Sequence, residues 1–574
     1  MFEEIGRLIK TLTEKYGWEV HRYDVKTGEH TMAIIEDRDG FNFYTLINNQ
    51  KQDEQAFVFY SDIIDHIVNK YITDPKDKEY VVGIPEKKVE TAKERNLTMM
   101  TDLYELTMSQ AYFNSHKENE IAVFDIFFRK NPFEKGYGVM GGLHEVIEFI
   151  KNFHFGEADI AYLRSKKLFT EDFLQYLKNL KFTGDIFSIP DGTPVFANEP
   201  VLTVKAPLIQ AQIVETILLS YLNAGIMYTT AAKRVTEAAG EIPIMEFGAR
   251  RALGPETATM ASTYAVIGGC VATSNVLAGE EKDIPISGTF AHSFVTSFDT
   301  EYEAFIAYAD TYPDNCILLV DTYDVLRSGV PNAIKTAKYL REKGHELKGI
   351  RIDSGDLAYL SKESKKMFEK AGFPDVKICI SNGLKEHTIH SLKAQGAVIN
   401  SIGLGDNIVL PDQARVGCVY KQVALKSDGK YTAKIKASNE AAKAITPGYK
   451  KVYRFYDKDT GFALGDVIAL HDEVIPTDTY TLIDPLNEEN RTTLTNYVVR
   501  PLQETMVKDG EVIYNELTIN EKKDYCTKQM ATLYPEVKRE ENPHGYYVDL
   551  SPELLELKKR MLKKAKEQRV EYDK

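Results

Sequence analysis

The sequence predicts an α/β fold in three parts: a barrel of parallel strands and helices, a mixed α+β sheet domain, and a small α+β unit at the N-terminus. Three observations carry this expectation. Between residues 241 and 410, seven short apolar runs alternate, most of them with helix-length segments between. Strands alternating with helices build parallel βαβ units, and seven in succession favour a barrel over an open sheet. Period-two apolar runs on both sides of that stretch mark further strands, and the charged segment 74–96 sets residues 1–73 apart from everything that follows.

Taken in chain order, residues 2–16 carry helical apolar spacing, and "WEVHRYDV", "TMAIIED" and "FNFYTLI" alternate as half-buried antiparallel strands do. "AFVFY" predicts one more strand and "DIIDHIVNKYI" a closing helix. This unit shows no chemistry, and His21 and His66 are read as ordinary surface or core residues. Residues 97–240 mix helices with strands such as "EIAVFDIFFRK" and "TPVFANEPVLTVKA". The barrel strands follow: "IPIMEF" to 247, "CVATS" to 274, "DIPI" to 286, "CILLVD" to 321, "GIRID" to 353, "VKICIS" to 381 and "AVINSI" to 402. Helices are predicted at 256–268, 330–343, 357–371 and 384–395. Beyond 410 the strands "GCVYKQVALK", "KYTAKIKAS" and "KKVYRFYDKDTGFALGDVIAL" resume, so 97–240 and 411–574 are expected to form one domain from both sides of the barrel. The tail 551–574 reads as a basic amphipathic docking helix.

At 574 residues the chain exceeds one ordinary core, and 43% hydrophobic residues suffice for a well-buried interior. A formal charge of −14 argues against nucleic acid or a membrane surface as partner, since both are anionic. Five scattered cysteines, never in CxxC spacing, fit a reducing compartment and argue against a disulfide framework or structural zinc. The start "MFEEIGRLIK" has no signal-peptide pattern, and no apolar run reaches the ~18 residues of a membrane span. A cytoplasmic protein is expected.

The chemically capable residues gather behind the strands. Glu246, Gly248, Arg250 and Arg251 follow the first; Thr273, Ser274 and Asn275 the second; Thr289, His292 and Ser293 the third; Asp321, Thr322 and Asp324 the fourth. Asp353, Ser354, Gly355 and Asp356 follow the fifth, Ser381, Asn382 and Gly383 the sixth, and "GLGDN" (403–407) the last. Barrel enzymes collect their active sites at this C-terminal face. In "RIDSGD" the carboxylates Asp353 and Asp356 suit vicinal hydroxyls or Mg²⁺, although Asp and Ser also serve as helix caps. The Ser354–Gly355 backbone between them exposes N–H groups where a helix begins, which suits an anion. Gly403 and Gly405 let the backbone approach a phosphate, and the guanidinium forks of "EFGARRA" match carboxylate or phosphate. A phosphorylated sugar with an anionic co-substrate fits this set. His292 has no further ligands for zinc; it is a nucleophile toward a phosphoryl group, a general base, or a hydrogen-bonded core residue.

The stretches "TDLYELTM" (101–108), "FDIFFRKNPF" (124–133), "EFGARRA" (246–252), "TSNVLAG" (273–279), "GTFAHSFV" (288–295), "RIDSGDL" (351–357) and "PGYKKVYR" (447–454) resemble, in order, the nicotinate phosphoribosyltransferase family. The resemblance implies a type II phosphoribosyltransferase fold: an irregular α/β barrel plus a sheet domain built from both chain ends. It implies condensation of nicotinate with phosphoribosyl pyrophosphate to nicotinate mononucleotide and pyrophosphate, in NAD biosynthesis. The reaction is coupled to ATP hydrolysis, with Mg²⁺, and the family's homodimers share active-site residues. Carried over, His292 matches the histidine that ATP phosphorylates, Tyr104 the tyrosine that stacks on nicotinate, and Arg250 a residue meeting the anionic substrates. Asp353 and Asp356 would face the ribose hydroxyls and the Mg²⁺-pyrophosphate, and Gly403 and Gly405 the 5′-phosphate. Arg129, Thr289, Ser293, Ser354, Gly355, Asn382 and Gly383 complete the expected substrate-binding set.

Asp406 departs from the family pattern, which has a neutral small or hydroxylic residue there. A carboxylate at that point repels a phosphate unless it points away, meets a cation or orders the loop. Two rival readings accompany the leading one: a nicotinamide-using relative, disfavoured by the arginines that match an acid, and a non-catalytic ligand sensor, motivated by Asp406 and the N-terminal extension.

Overall fold

The computed structural model describes residues 96–412, 415–427, 429–436, 445–485 and 487–572, and the backbone of five strands between residues 19 and 57. The chain forms two compact units, 1–95 and 96–574. In the first, strands Glu19–His21, Asp24–Thr27, His30–Asp37, Gly40–Ile47 and Gln50–Phe57 make an antiparallel meander in chain order. The last of these lies further toward the N-terminus than "AFVFY", over the polar run "QKQDEQ", where apolar alternation gives no signal. The predicted helices at 2–16 and 62–72 lie outside the described residues.

In the second unit, six parallel strands pair in the order Ala272–Thr273, Ile244–Glu246, Ser401–Leu404, Lys377–Ser381, Gly349–Ile352 and Ile317–Leu319. A parallel bridge from Thr273 to Ile286 adds the seventh run. The last strand in sequence pairs with the first, Glu246 opposite Leu404, so the sheet curls back on itself. Among the described residues no ladder joins the Ile286 run to Ile317–Leu319, which leaves one open seam and makes the α/β barrel irregular. Helices Pro255–Ile267, Val330–Glu342, Leu357–Lys370 and Glu386–Ala394 fill the crossovers.

A seven-stranded sheet draws Ile121–Phe127, Asp185–Ser188 and Leu202–Pro207 from before the barrel, and Val419–Ser427, Lys430–Ala433, Glu504–Lys508 and Glu511–Val512 from after it. Its pairings are antiparallel. The 25-residue helix Glu215–Ala239 joins the two parts. Its first half, with Leu218, Leu222 and Ile226, packs in the core under that sheet. Its second half, with Ala232, Val235 and Ala239, packs in the barrel core. The crossing is close: a Cβ on Gly225 would stand 2.2 Å from the Gly142 nitrogen.

A four-stranded sheet, Tyr497–Pro501, Lys450–Asp457, Ala463–Leu470 and Val548–Leu550, lies alongside. The fully buried Arg454 forks onto Asp466 at 2.8 and 2.6 Å and donates to the Pro194 carbonyl at 2.9 Å, tying that sheet to the 194–195 strand. The tail helix runs from Pro552 to Tyr572. Among the described residues no helix is long and apolar enough to cross a membrane.

Candidate active site

The seam between first and last strands supplies the floor of the site. Glu246, with no solvent exposure, accepts the Gly248 N–H, and the hydroxyls of Ser262 and Thr273 lie 2.9 and 2.6 Å from its Oε2. This buried carboxylate fixes the turn Ala249–Arg251 and the second strand together. Phe247 donates its N–H to the Leu404 carbonyl at 2.8 Å, and its ring covers Gly403, where a Cβ would come within 2.4 Å of Cε2. Glycine at 403 is therefore required by aromatic packing, whatever it does for a ligand.

Above this floor lies a cavity of about 290 Å³. The structure brings Arg250, Thr289, Asp353, Asn382, Gly383, Gly403 and Gly405 to its walls, seven residues drawn from the C-terminal ends of five of the seven runs. Arg351 organises them. Its Nη1 donates to Thr289 Oγ1 at 2.7 Å, its Nε to Ser381 Oγ at 2.9 Å, and its Nη2 stands 3.5 Å from Asp353 Oδ2. Ser381 in turn donates to Asp353 Oδ1 at 2.5 Å. One guanidinium thus sets the rotamers around an acidic group that stays 29% exposed.

His292 opens the short helix His292–Thr296 beside this cavity, not within its lining. Its Nδ1 lies 3.1 Å from Thr322 Oγ1, and its Nε2 is 3.9 Å from Asp321 Oδ1 and 4.0 Å from Asp353 Oδ2. The Asp321 side chain is 1% exposed; its Oδ2 accepts the Asp353 N–H at 3.1 Å and the Ser354 hydroxyl at 2.6 Å. Asp321 Oδ1 has no hydrogen-bond partner among the described residues and faces the imidazole. With its side chain 44% exposed, His292 is not a core histidine.

Other expected residues have different surroundings. Asp356 caps the helix Leu357–Lys370, its Oδ1 accepting the Tyr359 N–H at 3.0 Å, so one carboxylate oxygen serves the fold. Gly355 holds a left-handed φ of 83° in the turn before it. Ser354, Gly355, Asp356 and Ser293 do not line the cavity. Tyr104 and Arg129 do not line it either. Tyr104 is 45% exposed on the helix Leu103–Asn114, with its hydroxyl bonded to Glu215, and burial together with that carboxylate raises its pKa. Arg129 is half-buried, its guanidinium 5.7 Å from the Phe127 ring centre. Asp406 meets a cation: Arg251 Nε lies 3.2 Å from its Oδ1.

Next to Tyr104, Glu105 is fully buried and accepts from the Thr101 and Thr216 hydroxyls. Burial outweighs those hydrogen bonds and pushes its carboxyl up to about 7. A carboxyl raised on folding favours the folded state at low pH, and that contribution is lost as pH rises through about 7. Glu105→Gln, which keeps an acceptor for one hydroxyl and offers an amide N–H to the other, is expected to gain in melting temperature relative to the unsubstituted protein as pH climbs from 5 to 8. A difference independent of pH would show that Glu105 is ionised throughout.

Sequence reasoning left Arg351 and Phe247 out of the expected site; it named Arg251, Asp321, Ser381 and Asp406 behind the strands without placing them in the substrate-binding set. For Arg351 the signal was present: Ile350 and Ile352 are buried on one side of the strand, so the residue between them faces the barrel interior.

Family models match three consecutive stretches: the nicotinate phosphoribosyltransferase N-terminal domain over 99–223, the nicotinate phosphoribosyltransferase family over 242–446 and the C-terminal domain over 449–558. The chain is 41% identical over 461 residues to the nicotinate phosphoribosyltransferase of Bacillus subtilis, covering 80% of this chain and 94% of that one. It is 36% identical over 521 residues to the Caenorhabditis elegans nicotinate phosphoribosyltransferase, covering 79% and 92%. The crystal structure of human nicotinic acid phosphoribosyltransferase superposes with a TM-score of 0.71 at 29% identity, over 80% of this chain and 99% of that one. The matched stretches contain every residue of the cavity described above. The chain belongs to the nicotinate phosphoribosyltransferase family.

Proposed function

We propose that the protein condenses nicotinate with phosphoribosyl pyrophosphate, releasing pyrophosphate, and that ATP drives the reaction through phosphorylation of His292. The observation that carries this reading is the cavity lined by Arg250, Arg351 and Asp353, with His292 at its edge, 4.0 Å from the Asp353 carboxylate. In the condensation the nicotinate nitrogen forms the bond to the anomeric carbon as the pyrophosphate oxygen leaves, through a transition state with oxocarbenium character. The side chains supply orientation and charge: Asp353 for the ribose side, Arg250 for the anionic groups, and the Gly403–Gly405 backbone for the 5′-phosphate.

In the ATP step, imidazole Nε2 attacks the γ-phosphorus and ADP leaves; water later takes the phosphoryl group. Thr322 Oγ1, 3.1 Å from Nδ1, orients the ring, and the Asp321 and Asp353 carboxylates lie 3.9 and 4.0 Å from Nε2. Mg²⁺ would neutralise the pyrophosphate leaving group, and the donor set suits it: Asp353 lines the cavity and Asp321 Oδ1 has no partner among the described residues. Asp356 offers that ion only the oxygen not used in its cap.

Tyr104 and Arg129, away from this cavity, would serve that of a second copy in a homodimer. We assign the barrel to 241–410, the sheet domain to 97–240 and 411–574, and an accessory unit to 1–73 joined by a linker at 74–96, in a cytoplasmic enzyme. Pyrophosphate release with nicotinate, phosphoribosyl pyrophosphate and Mg²⁺, with and without ATP, tests the reading. ATP is expected to stimulate the unsubstituted protein and to leave His292→Ala unstimulated. Equal stimulation of both would return His292 to a structural role.

A further inference from the structure

Two turns that meet at the barrel seam end in opposite charges over the cavity. After Glu246, the turn Ala249–Arg251 passes Gly248; after Leu404, the chain passes Gly405 into Asp406. The glycines press backbone against backbone. A Cβ on Gly248 would stand 2.8 Å from the Gly405 carbonyl oxygen and 2.2 Å from Val409 Cγ2, and one on Gly405 would stand 3.0 Å from the Gly248 Cα. Because the turns are seamed this closely, the side chains just beyond them are held near one another, and Arg251 Nε meets Asp406 Oδ1 at 3.2 Å.

Both partners line the cavity, and both remain more than half exposed, at 58% and 54%. The other two arginines of the wall stand differently. Arg351 is committed to Thr289, Ser381 and Asp353, whereas Arg250 has no carboxylate partner among the described residues. Counting the wall, three arginines (Arg250, Arg251, Arg351) face two aspartates (Asp353, Asp406), a formal balance of +1. Asp406 alone halves the charge that the same wall would have without it. An ion pair so exposed is weak, so it yields to a stronger anion.

We infer that Asp406 is a competitor for the anionic substrate built into the pocket wall. Its carboxylate holds Arg251, and a phosphate oxygen entering the cavity takes the guanidinium over, displacing Asp406 toward solvent. Asp406 therefore sets how tightly the pocket takes a phosphorylated ligand: it weakens binding of any phosphate-type oxyanion, and a ligand offering several such oxygens loses proportionately less. The inference deepens the proposed function, because it rests on that cavity receiving the phosphorylated substrate.

The test compares the unsubstituted protein with Asp406→Asn, alone and combined with Arg251→Gln. Inorganic phosphate binding by titration calorimetry is read without turnover, and KM for phosphoribosyl pyrophosphate is read with it. Asp406→Asn is expected to tighten phosphate binding and to lower KM, each roughly three- to tenfold, with kcat within about twofold. The gain is expected to vanish in the Arg251→Gln background, since no latch then exists to release. Unchanged affinity, or a gain that survives Arg251→Gln, would overturn the inference. Weaker binding rescued by more Mg²⁺ would also overturn it and make Asp406 a metal ligand. A gain in phosphate affinity in a protein that releases no pyrophosphate would leave the latch standing and sink the proposed function instead.

Discussion

Arg351→Ala is expected to lower kcat/KM for phosphoribosyl pyrophosphate about 10²–10³-fold. The guanidinium makes hydrogen bonds to Thr289 and Ser381 and stands against Asp353, so a single truncation loosens side chains at the ends of three neighbouring runs. Ser381 then keeps only its bond to Asp353, and Thr289 loses the donor that turns it toward the cavity. Arg351→Lys keeps the charge without the planar fork, so it should recover only part of the loss. Circular dichroism and melting temperature would separate a loss of order in the site from a loss of fold. Near-normal kcat/KM in folded Arg351→Ala would mean that the loops hold their positions by backbone packing alone.

The second large effect concerns stability. Arg454 is fully buried, bidentate on Asp466, and lies 5.5 and 5.6 Å from the stacked rings of Phe196 and Tyr546. Tyr546 also donates to Asp466 at 2.9 Å. Nearby Glu199 has no solvent exposure, and burial with Asp466 alongside raises its carboxyl well above the ordinary range. Removing only the cation leaves the buried Asp466 carboxylate uncompensated, beside the Tyr546 hydroxyl and the Glu199 carboxyl. Arg454→Met is therefore expected to cost about 3–5 kcal/mol in the unfolding of the 96–574 unit, read as a lower urea midpoint. Pairing it with Asp466→Leu should return much of that loss, because neither charge then needs solvation. A cost below ~1 kcal/mol for Arg454→Met would show that water reaches Asp466.

Much of the site's placement was legible because hydropathy is local and so are strand ends. The seven apolar runs lie where the structure has parallel strands or a bridge, and the residues just behind them, from Arg250 to Gly405, reach one cavity. What the chain does at a distance was not legible. No local pattern announces that Leu404 pairs back to Glu246, yet that pairing brings Arg251 onto Asp406 and answers why a carboxylate is tolerated there. Arg351 was passed over, and Asp321 named without a role, for a related reason: their importance lies in partners some thirty residues away in sequence, Ser381 and Ser354. Asp356 illustrates the converse. A carboxylate three residues from Asp353 looks like half of a ligand pair, but the helix behind it takes one of its oxygens as a cap. Tyr104 carries a family motif on a helix outside the cavity, and no local pattern told that the fold would leave it there.

The measurement that bears most directly on function is pyrophosphate release by the purified chain with phosphoribosyl pyrophosphate, ATP and Mg²⁺, run side by side with nicotinate and with nicotinamide. Release that depends on nicotinate, with nicotinate mononucleotide as the other product and nicotinamide far slower, is the expected result. Faster turnover of nicotinamide, or no release with either base while the sugar pyrophosphate still binds, would contradict it.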